Sequence, residues 1–326
     1  MPNSLVSVVM ATFNGDKFLR EQIESILSQS YSPIELIVFD DCSTDRSFEI
    51  LEEYQNRGLL SAYRNPSNLG YVKNFEKAIQ KANGEYIALA DQDDVWFPSK
   101  IEILVQEIGS NLLIHSDASL INELGDEIAS SFEDFASKMT VPDSFSEAVL
   151  NGAVTGCTCL FKKELLETAL PFPDGLYIHD KWLGVLAFHQ GGIKYIKKPL
   201  IAYRQHYQNS IGANQTSTSL WDRILRFLKR GKVNYQYEAF RSYLQKERLF
   251  VFQVQKRLKL ESLEVNRIRD FFDWVLEGKG LFPVVVFYLR NFGAIEKNKS
   301  ISQKIYFFYL VLLSFFYSRK VKNEIP

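Results

Sequence analysis

The sequence predicts an α/β fold in which a mostly parallel sheet carries helices on both faces. Short apolar runs alternate with segments whose apolar residues recur at helical spacing, from the N-terminus to residue 108. Two of the apolar runs end abruptly in carboxylates, at Asp40-Asp41 and at Asp91-Gln92-Asp93-Asp94. Open α/β sheets bind ligands at the carboxyl ends of their strands. We therefore expect the functional site at the edge marked by these acids.

The elements of the first 108 residues follow from local patterning. Strands are expected at three apolar runs, residues 6–11, 34–39 and 86–90. Helices are expected over residues 17–29, over residues 45–56 with Ser43 or Thr44 as the cap, and after Gly70. The last of these has four apolar residues on one face, Val72, Phe75, Ala78 and Ile79.

Beyond residue 111 the alternation loosens. Strands are expected at residues 112–115, 155–161, 193–196 and 200–205. Helices are expected at residues 144–151, 163–168 and 179–189, and residues 121–142 read as a polar connection.

Charge is unevenly distributed along the 326 residues. Residues 1–215 carry 17 basic and 29 acidic side chains, whereas residues 216–326 carry 21 basic and 10 acidic ones. With a cluster of Asn, Ser and Thr at 210–219, this contrast predicts a domain 1–215 and a basic, aromatic-rich helical extension 216–326. An acidic body argues against a nucleic-acid partner.

The extension has two segments suited to a membrane surface. Residues 220–230 form a basic amphipathic pattern, and residues 305–317 are almost wholly apolar and precede Arg319, Lys320 and Lys322. The apolar run is shorter than the roughly 20 residues that cross a bilayer. We expect it either to lie in the membrane interface or to pack as a core or dimerisation helix.

The cysteines and the N-terminus point to the cytosol. Cys42, Cys157 and Cys159 have neither a disulfide framework nor a zinc spacing, so they are expected to be small buried residues. The first apolar run has only the length of a strand, so no signal peptide is expected.

Carboxylates at this edge of the sheet suit a divalent metal. Asp91 and Asp93 lie two positions apart after a predicted strand, and Mg²⁺ is usually held by one or two carboxylates together with substrate phosphates. An isolated acidic pair would more simply be a solvated turn. The second acidic strand end favours a metal–nucleotide site.

Four motifs in order resemble the inverting family 2 glycosyltransferases of the GT-A fold, over about the first 215 residues. They are Ser7-Val8-Val9-Met10-Ala11-Thr12-Phe13-Asn14-Gly15, Phe39-Asp40-Asp41-Cys42-Ser43-Thr44-Asp45, Asn68-Leu69-Gly70 and Asp91-Gln92-Asp93-Asp94-Val95-Trp96. Downstream motifs resemble the rhamnosyltransferase branch, which builds bacterial cell-wall and capsular polysaccharides: Thr155-Gly156-Cys157-Thr158, Ile178-His179-Asp180-Lys181-Trp182 and Tyr203-Arg204-Gln205-His206. Many relatives have a second glycine where this chain has Cys157, which implies a narrower acceptor pocket.

The resemblance implies a role for each matching residue. Asp40 or Asp41 would accept a hydrogen bond from the base imide, and the remaining nucleotide-sugar contacts would come from Thr12, Asn14, Lys73, Asp91 and Gln92. Asp93, Asp91 and His206 would hold Mg²⁺ or Mn²⁺. Asp180 would be the general base, its alternative being a helix N-terminal acid that favours the dipole. Gly156, Trp96 and Trp182 would contact sugar, with core packing as the alternative for the tryptophans.

The resemblance implies transfer of a sugar, with rhamnose from dTDP-rhamnose as the best assignment, onto a polysaccharide acceptor that is lipid-linked. A UDP-hexose transferase is the alternative. A sugar-nucleotide pyrophosphorylase is less favoured, because the turn at 11–16 ends in Asp16 and has no basic residue to hold a triphosphate. A non-catalytic carbohydrate-binding protein would not need both Asp93 and Asp180.

Overall fold

The computed structural model describes residues 3–136, 141–152, 154–206 and 233–291, with Phe308, Val311, Leu312, Ser314 and Phe315 near the C-terminal end. The chain divides into two compact units, Met1–Val141 with Ala153–Asn214, and Pro142–Gly152 with Gln215–Pro326. The functions expected of the domain 1–215 and the extension 216–326 stay predictions.

The first unit is built on one mixed sheet. Its strands are β1 (Val6–Thr12), β2 (Ile34–Asp40), β3 (Ser61–Arg64), β4 (Tyr86–Ala90), β5 (Val95–Trp96), β6 (Leu113–Ile121), β7 (Glu127–Ala129), β8 (Cys159–Lys162) and β9 (Ile193–Arg204). They lie in the order β3-β2-β1-β4-β8-β6-β9-β5, with β7 paired to β6. The half formed by β1 to β4 is parallel, whereas β8, β5 and β7 pair antiparallel with their neighbours.

The helices of the first unit lie between these strands in the chain. They are α1 (Asp16–Leu27), α2 (Ser47–Asn56), α3 (Tyr71–Gln80), α4 (Lys100–Glu107), α5 (Phe132–Ala136), α7 (Leu165–Ala169) and α8 (His179–Gln190), with α6 (Phe145–Asn151) belonging to the second unit. A 3-10 turn, Gly156–Thr158, precedes β8.

Strand β1 is the point at which the order of the sheet reverses. It pairs in parallel with β2 on one side and with β4 on the other. At such a point the loops that follow the two neighbouring strands diverge and leave a crevice for a ligand. The loops after β1, β2 and β4 begin at Phe13, Asp41 and Asp91, so this crevice is where the acidic strand ends meet.

Both faces of the sheet are covered at β1, so side chains on both of its faces are buried. Val6, Val8 and Met10 of β1 join one core that also holds buried residues of α1, α2 and α4. Val9 points to the opposite face and is equally buried. On that face α3 packs against β1 and β2, through the four residues predicted from helical spacing, Val72, Phe75, Ala78 and Ile79, all of which are buried.

The second unit is helical where it is described. It comprises α6, α9 (Val233–Leu258), α10 (Leu263–Glu277) and α11 (Leu281–Arg290). Ser262 caps α10 by accepting a hydrogen bond from the Val265 amide at 3.3 Å. In the predicted apolar run 305–317, Val311 and Phe315 are buried, as the packed-helix alternative expects. The predicted amphipathic helix 220–230 lies outside the described residues.

The predicted α/β fold with C-terminal helices is confirmed, and several local predictions are wrong. Ser43 and Thr44 do not cap α2, which begins at Ser47 after Arg46. The connection 121–142 contains β7 and α5. The strand expected at 155–161 begins only at Cys159, because Cys157 lies in the 3-10 turn. The two strands expected at 193–196 and 200–205 are one, β9, with a register shift in its pairing to β6.

Candidate active site

The loop from β4 to β5 places three carboxylates together. Asp94 is fully buried, whereas Asp91 and Asp93 are partly exposed. Burial, followed by the nearby charges of Asp93 and Asp180, raises the pKa of Asp91 to about 7. Burial, followed by the nearby charges of Asp93 and Asp91, raises the pKa of Asp94 well above its usual range. Crowded carboxylates of this kind favour a proton or a cation among them.

Asp93 and His206, which were predicted to share a metal, lie together in the structure. The Nε2 atom of His206 is 2.8 Å from Oδ2 of Asp93, and the two side chains are 6% and 13% exposed. The ring of Phe18 lies 5.2 Å from the imidazole, centroid to centroid. The loop after β4 and the residues after β9 thus bring a carboxylate oxygen of Asp93 next to an imidazole nitrogen of His206.

The side chains at this point fit a divalent cation. Carboxylate oxygens suit Mg²⁺ and Mn²⁺, and an imidazole nitrogen is an acceptable partner. Ligand atoms of Asp91, Asp94 and Cys157 also lie within 4.8 Å of one another. Burial raises the pKa of the Cys157 thiol well above its usual value, so this sulfur stays protonated and is a poor ligand for a hard ion. Asp91, Asp93 and His206 therefore stay the predicted ligands of a divalent cation, and Asp94 and Cys157 lie close to Asp91.

Cys157 therefore has a different position from the one implied by the resemblance. It is 1% exposed, and its thiol lies against the acids. A buried side chain does not line a pocket, so the expectation that Cys157 narrows an acceptor pocket is not supported by this geometry.

Asp180 belongs to the same site. It lies in the first turn of α8, and its charge contributes to the raised pKa of Asp91. Its Oδ2 accepts a hydrogen bond from the Gly156 amide at 3.1 Å, and its Oδ1 accepts one from the Lys181 amide at 2.6 Å. Two backbone donors thus fix the orientation of a carboxylate beside the acidic loop.

Thr12 and Gln92, both predicted to contact the nucleotide sugar, are hydrogen-bonded to each other. Oε1 of Gln92 accepts hydrogen bonds from the Thr12 hydroxyl at 2.5 Å and from the Phe13 amide at 2.9 Å. A Cβ atom added to Gly15 would lie 2.2 Å from that oxygen. Position 15 therefore has to be glycine for the Gln92 amide to bridge the ends of β1 and β4, a constraint that the sequence alone did not reveal.

Asn14 joins the loops after β1 and β2. Its backbone adopts a positive φ of 48°, which asparagine tolerates better than most residues. Its Oδ1 accepts a hydrogen bond from the Thr44 amide at 2.8 Å, and its own amide donates to the Ser43 hydroxyl at 2.9 Å. The loop residues that would meet a nucleoside are thus held before it binds.

The two aspartates after β2 differ in their hydrogen bonds. Asp41 accepts at Oδ1 from the Asn65 side chain and the Leu69 amide, and at Oδ2 from the Gly70 amide. Each carboxylate oxygen can accept about two hydrogen bonds, and Oδ2 of Asp41 accepts only one from the residues that the structure describes. Asp40 is fully buried, pairs with Arg64 at 3.3 Å, and its Oδ1 has no hydrogen-bond partner among the described residues.

The positions of three further predicted residues give no direct support to a role in binding a ligand. The Lys73 ammonium pairs with Glu76 at 2.8 Å and is 42% exposed. Trp96 and Trp182 are 2% and 0% exposed, and the Trp182 indole donates to the Ala169 carbonyl at 3.0 Å. Core packing, the alternative weighed for both tryptophans, accounts for their positions because neither presents a ring face to solvent.

Sequence reasoning missed two buried cations next to the acids. Lys100 is fully buried, lies 3.4 Å above the Trp96 ring centroid and donates to the Cys157 carbonyl at 2.6 Å. Arg204 is 2% exposed and donates through Nε to the Asp93 carbonyl at 2.8 Å, while its amide donates to Asp94 at 3.1 Å. A basic residue in an apolar stretch was the only sequence signal for Lys100. Arg204 fell within a quoted motif without an assigned role.

Comparisons with known proteins agree with this geometry. A family model described as Glycosyl transferase family 2 matches residues 7–169. The dTDP-rhamnosyl transferase RfbG of Shigella flexneri is 30% identical over 237 residues, which cover 66% of this chain and 78% of that protein.

Solved structures share the fold. The S. aureus TarS 1-349 complex with UDP-GlcNAc superposes with a TM-score of 0.56 at 19% identity, covering 90% of this chain and 82% of that one. The mannosyltransferase PcManGT from Pyrobaculum calidifontis, in complex with GDP-Man and Mn²⁺, superposes with a TM-score of 0.51 at 18% identity, covering 99% and 87%. These likenesses confirm the GT-A fold, and the pyrophosphorylase and non-catalytic alternatives are left without support. The chain belongs to glycosyltransferase family 2 and is a glycosyltransferase.

Proposed function

We propose that the protein is an inverting, metal-dependent glycosyltransferase that moves a sugar from a nucleoside diphosphate to a saccharide acceptor. The observation that carries the proposal is the position of Asp180 beside the acidic loop. Its carboxylate accepts a hydrogen bond from the Gly156 amide at 3.1 Å, and the thiol of the next residue, Cys157, lies within 4.8 Å of carboxylate oxygens of Asp91 and Asp94. One carboxylate with two fixed backbone donors thus lies beside a cation-binding group of acids. An inverting transfer needs a base and a cation site of this kind in one cleft.

The donor would lie across the carboxyl ends of β1, β2 and β4. Oδ2 of Asp41 accepts the imide N–H of the base, and Thr12 and Asn14 line the nucleoside pocket. Lys73 approaches the nucleotide if it leaves Glu76. Asp91, Asp93 and His206 would hold a divalent cation, which would supply Lewis-acid stabilisation of the departing diphosphate.

The transfer is a single displacement. A hydroxyl oxygen of the acceptor attacks the anomeric carbon, Asp180 takes the hydroxyl proton, and the bond from the anomeric carbon to the phosphate oxygen breaks. Its electron pair stays on the diphosphate. Attack from the side opposite the leaving group inverts the anomeric configuration.

The best assignment of the donor is dTDP-rhamnose, supported by the 30% identity to a protein named dTDP-rhamnosyl transferase. A UDP-hexose is the alternative, because uracil and thymine share the imide group that Asp41 would read. The acceptor is a growing cell-wall or capsular saccharide carried on a polyprenyl lipid.

We place the enzyme on the inner face of the cell membrane, as a peripheral protein. Within the described ranges, no helix combines the length and apolar character needed to cross a bilayer. In the second unit Phe252, Phe282 and Leu289 are 52%, 78% and 63% exposed. Exposed Lys256 and Arg290 lie on the same helices, α9 and α11, a combination that suits an anionic lipid surface.

The experiment that tests the proposal is a screen of nucleotide sugars. Purified protein is mixed with dTDP-rhamnose, UDP-glucose, UDP-galactose or UDP-GlcNAc and with Mg²⁺ or Mn²⁺, and release of the nucleoside diphosphate is measured. We expect turnover of one donor that EDTA abolishes. Asp93→Asn should lower it by about 10²–10³-fold, the usual effect of removing one group that stabilises transition-state charge.

Glu52→Gln is the matched control, because it removes an exposed carboxylate of α2. It should retain full turnover. A folded Asp93→Asn variant with full activity in EDTA would refute the metal role, and release of no diphosphate from any donor would refute the proposed reaction.

A further inference from the structure

His179 is a buried side chain for which the reaction described above has no use. It is the first residue of α8, directly before Asp180, and is 7% exposed. Its imidazole stacks on Phe75 of α3 with 4.2 Å between ring centroids and 24° between ring planes. The stacking fixes the plane of the ring and therefore the directions in which its two nitrogens point.

Neither nitrogen of His179 has a hydrogen-bond partner within the described residues. Burial lowers the pKa of His179, although the nearby negative charge of Asp180 acts to raise it. The ring is therefore neutral and carries one N–H donor and one acceptor nitrogen. Buried polar groups without partners destabilise a fold and are uncommon. A pair of unused groups at this place is suited to a ligand.

The imidazole and the candidate base flank the same glycine. A Cβ atom added to Gly156 would lie 3.6 Å from Nε2 of His179 and 3.6 Å from Oδ2 of Asp180. The amide of Gly156 donates to that same Oδ2. A group that reaches the Asp180 carboxylate over Gly156 therefore comes close to the imidazole.

We propose that His179 forms a hydrogen bond with a sugar hydroxyl next to the oxygen that Asp180 deprotonates. The proposal rests on the proposed function. A neutral ring with one donor and one acceptor matches a hydroxyl, which also donates and accepts, better than it matches a phosphate. The hydroxyl belongs either to the donor sugar or to the acceptor saccharide, since both meet at the base.

Tyr71 is the side chain that must move to expose the ring edge. It lies edge-on to His179 at 5.9 Å, is 41% exposed, and its hydroxyl donates to the carbonyl of Tyr177. A half-exposed phenol held by one hydrogen bond can rotate aside when a saccharide enters.

The chain contains a matched control for this histidine. His115 of β6 is fully buried, its two nitrogens also have no partner in the described part of the chain, and its ring lies 4.9 Å from that of Tyr195. Burial lowers the pKa of His115, whereas the charge of Asp180 also acts on the pKa of His179. Replacing either histidine by phenylalanine keeps an aromatic ring and removes the unused polar atoms.

The test compares His179→Phe with His115→Phe, using the nucleotide sugar identified by the screen. Thermal unfolding should show both variants at least as stable as the parent, because each loses buried polar atoms without partners. His115→Phe should retain parental activity. His179→Phe should bind the nucleoside diphosphate, measured by calorimetry, as the parent does.

Two results would support the proposal and would distinguish the sources of the hydroxyl. If the hydroxyl belongs to the donor sugar, His179→Phe lowers affinity for the nucleotide sugar by about fivefold to tenfold, which corresponds to the loss of one hydrogen bond. If the hydroxyl belongs to the acceptor, the variant binds and hydrolyses the nucleotide sugar as the parent does. Its KM for methyl glycosides used as acceptors is then higher than that of the parent. His179→Gln, which keeps a donor and an acceptor, should recover part of either loss.

Two other results would overturn it. Parental binding and turnover in His179→Phe would show that the nitrogens are not used. A lower melting temperature together with weaker binding of the nucleoside diphosphate would assign the ring to packing alone. Failure of the proposed function would be distinct, because the parent protein itself would then turn over no nucleotide sugar.

Discussion

At the scale of single residues, the ionisation of Asp91 links pH to metal binding. Its pKa is about 7 in the metal-free protein, chiefly because of burial and then because of Asp93 and Asp180. Below pH 7 the carboxyl group holds a proton, which a metal ion has to displace. Above pH 7 the carboxylate is already charged. Metal affinity should therefore weaken as the pH falls through 7, by about tenfold for each pH unit.

Calorimetric titration of Mn²⁺ at pH 6, 7 and 8, in two buffers with different protonation enthalpies, measures both the affinity and the protons released. Asp91→Asn should bind more weakly and lose most of the pH dependence. His206→Asn should also bind more weakly, because it removes one ligand atom, but it should keep the pH dependence that comes from Asp91. A parental affinity that does not change between pH 6 and 8 would contradict this assignment.

Candidate site residues were predictable where they stand in a short motif after a strand or at the start of a helix. Asp91, Asp93, Asp180 and His206 stand in short motifs with a chemical signature, and the structure brings Asp93 to 2.8 Å from His206. Lys100 was not predictable as a site residue. Its ammonium meets the Cys157 carbonyl, 57 positions away in the chain, and such a contact depends on how the strands are ordered in the sheet.

At the scale of elements, the helices of the second unit carry the proposed membrane contact. Phe282 and Leu289 are exposed on α11. Replacing both by glutamine should lower co-sedimentation of the full chain with vesicles that contain anionic phospholipid. Added salt should lower the binding of the parent, because basic residues near an anionic leaflet contribute on the order of 1 kcal/mol each.

Leu124→Gln is the control for vesicle binding. Leu124 is 85% exposed in the turn between β6 and β7 of the first unit, so its replacement removes an exposed apolar side chain elsewhere. Equal sedimentation of the parent and the double variant, with or without anionic lipid, would refute the membrane contact on α11 and favour packing or dimerisation.

Long apolar elements were predicted well and short polar ones were not. Strands β1, β2 and β4 lie within a residue or so of their expected bounds, because they are buried on both faces and read as continuous apolar runs. Strand β3 is a four-residue edge strand with exposed side chains, and β5 has only two residues. Neither has enough apolar residues to show a period.

At the scale of the whole molecule, the parallel half of the sheet was predictable from alternating elements. The mixed half, in which β6 and β9 pair in parallel and β8 pairs antiparallel, was not. The position of β8 between β4 and β6 depends on contacts between distant segments. That half bears on the proposed function, since the turn before β8 contains Gly156 and the end of β9 contains Arg204. The order of the strands converts separate motifs into one site.

The measurement that tests this account most directly is the activity of Asp180→Asn against the nucleotide sugar identified by the screen. The variant keeps the size of the side chain and removes the base, so turnover should fall by about 10²–10⁴-fold. Calorimetric affinity for the nucleotide sugar should stay within a few-fold. Asp126→Asn, in the turn after β6, should keep parental turnover, and the parental product should have the inverted anomeric configuration by NMR. Parental turnover in Asp180→Asn, or a product that retains the donor configuration, would contradict the account.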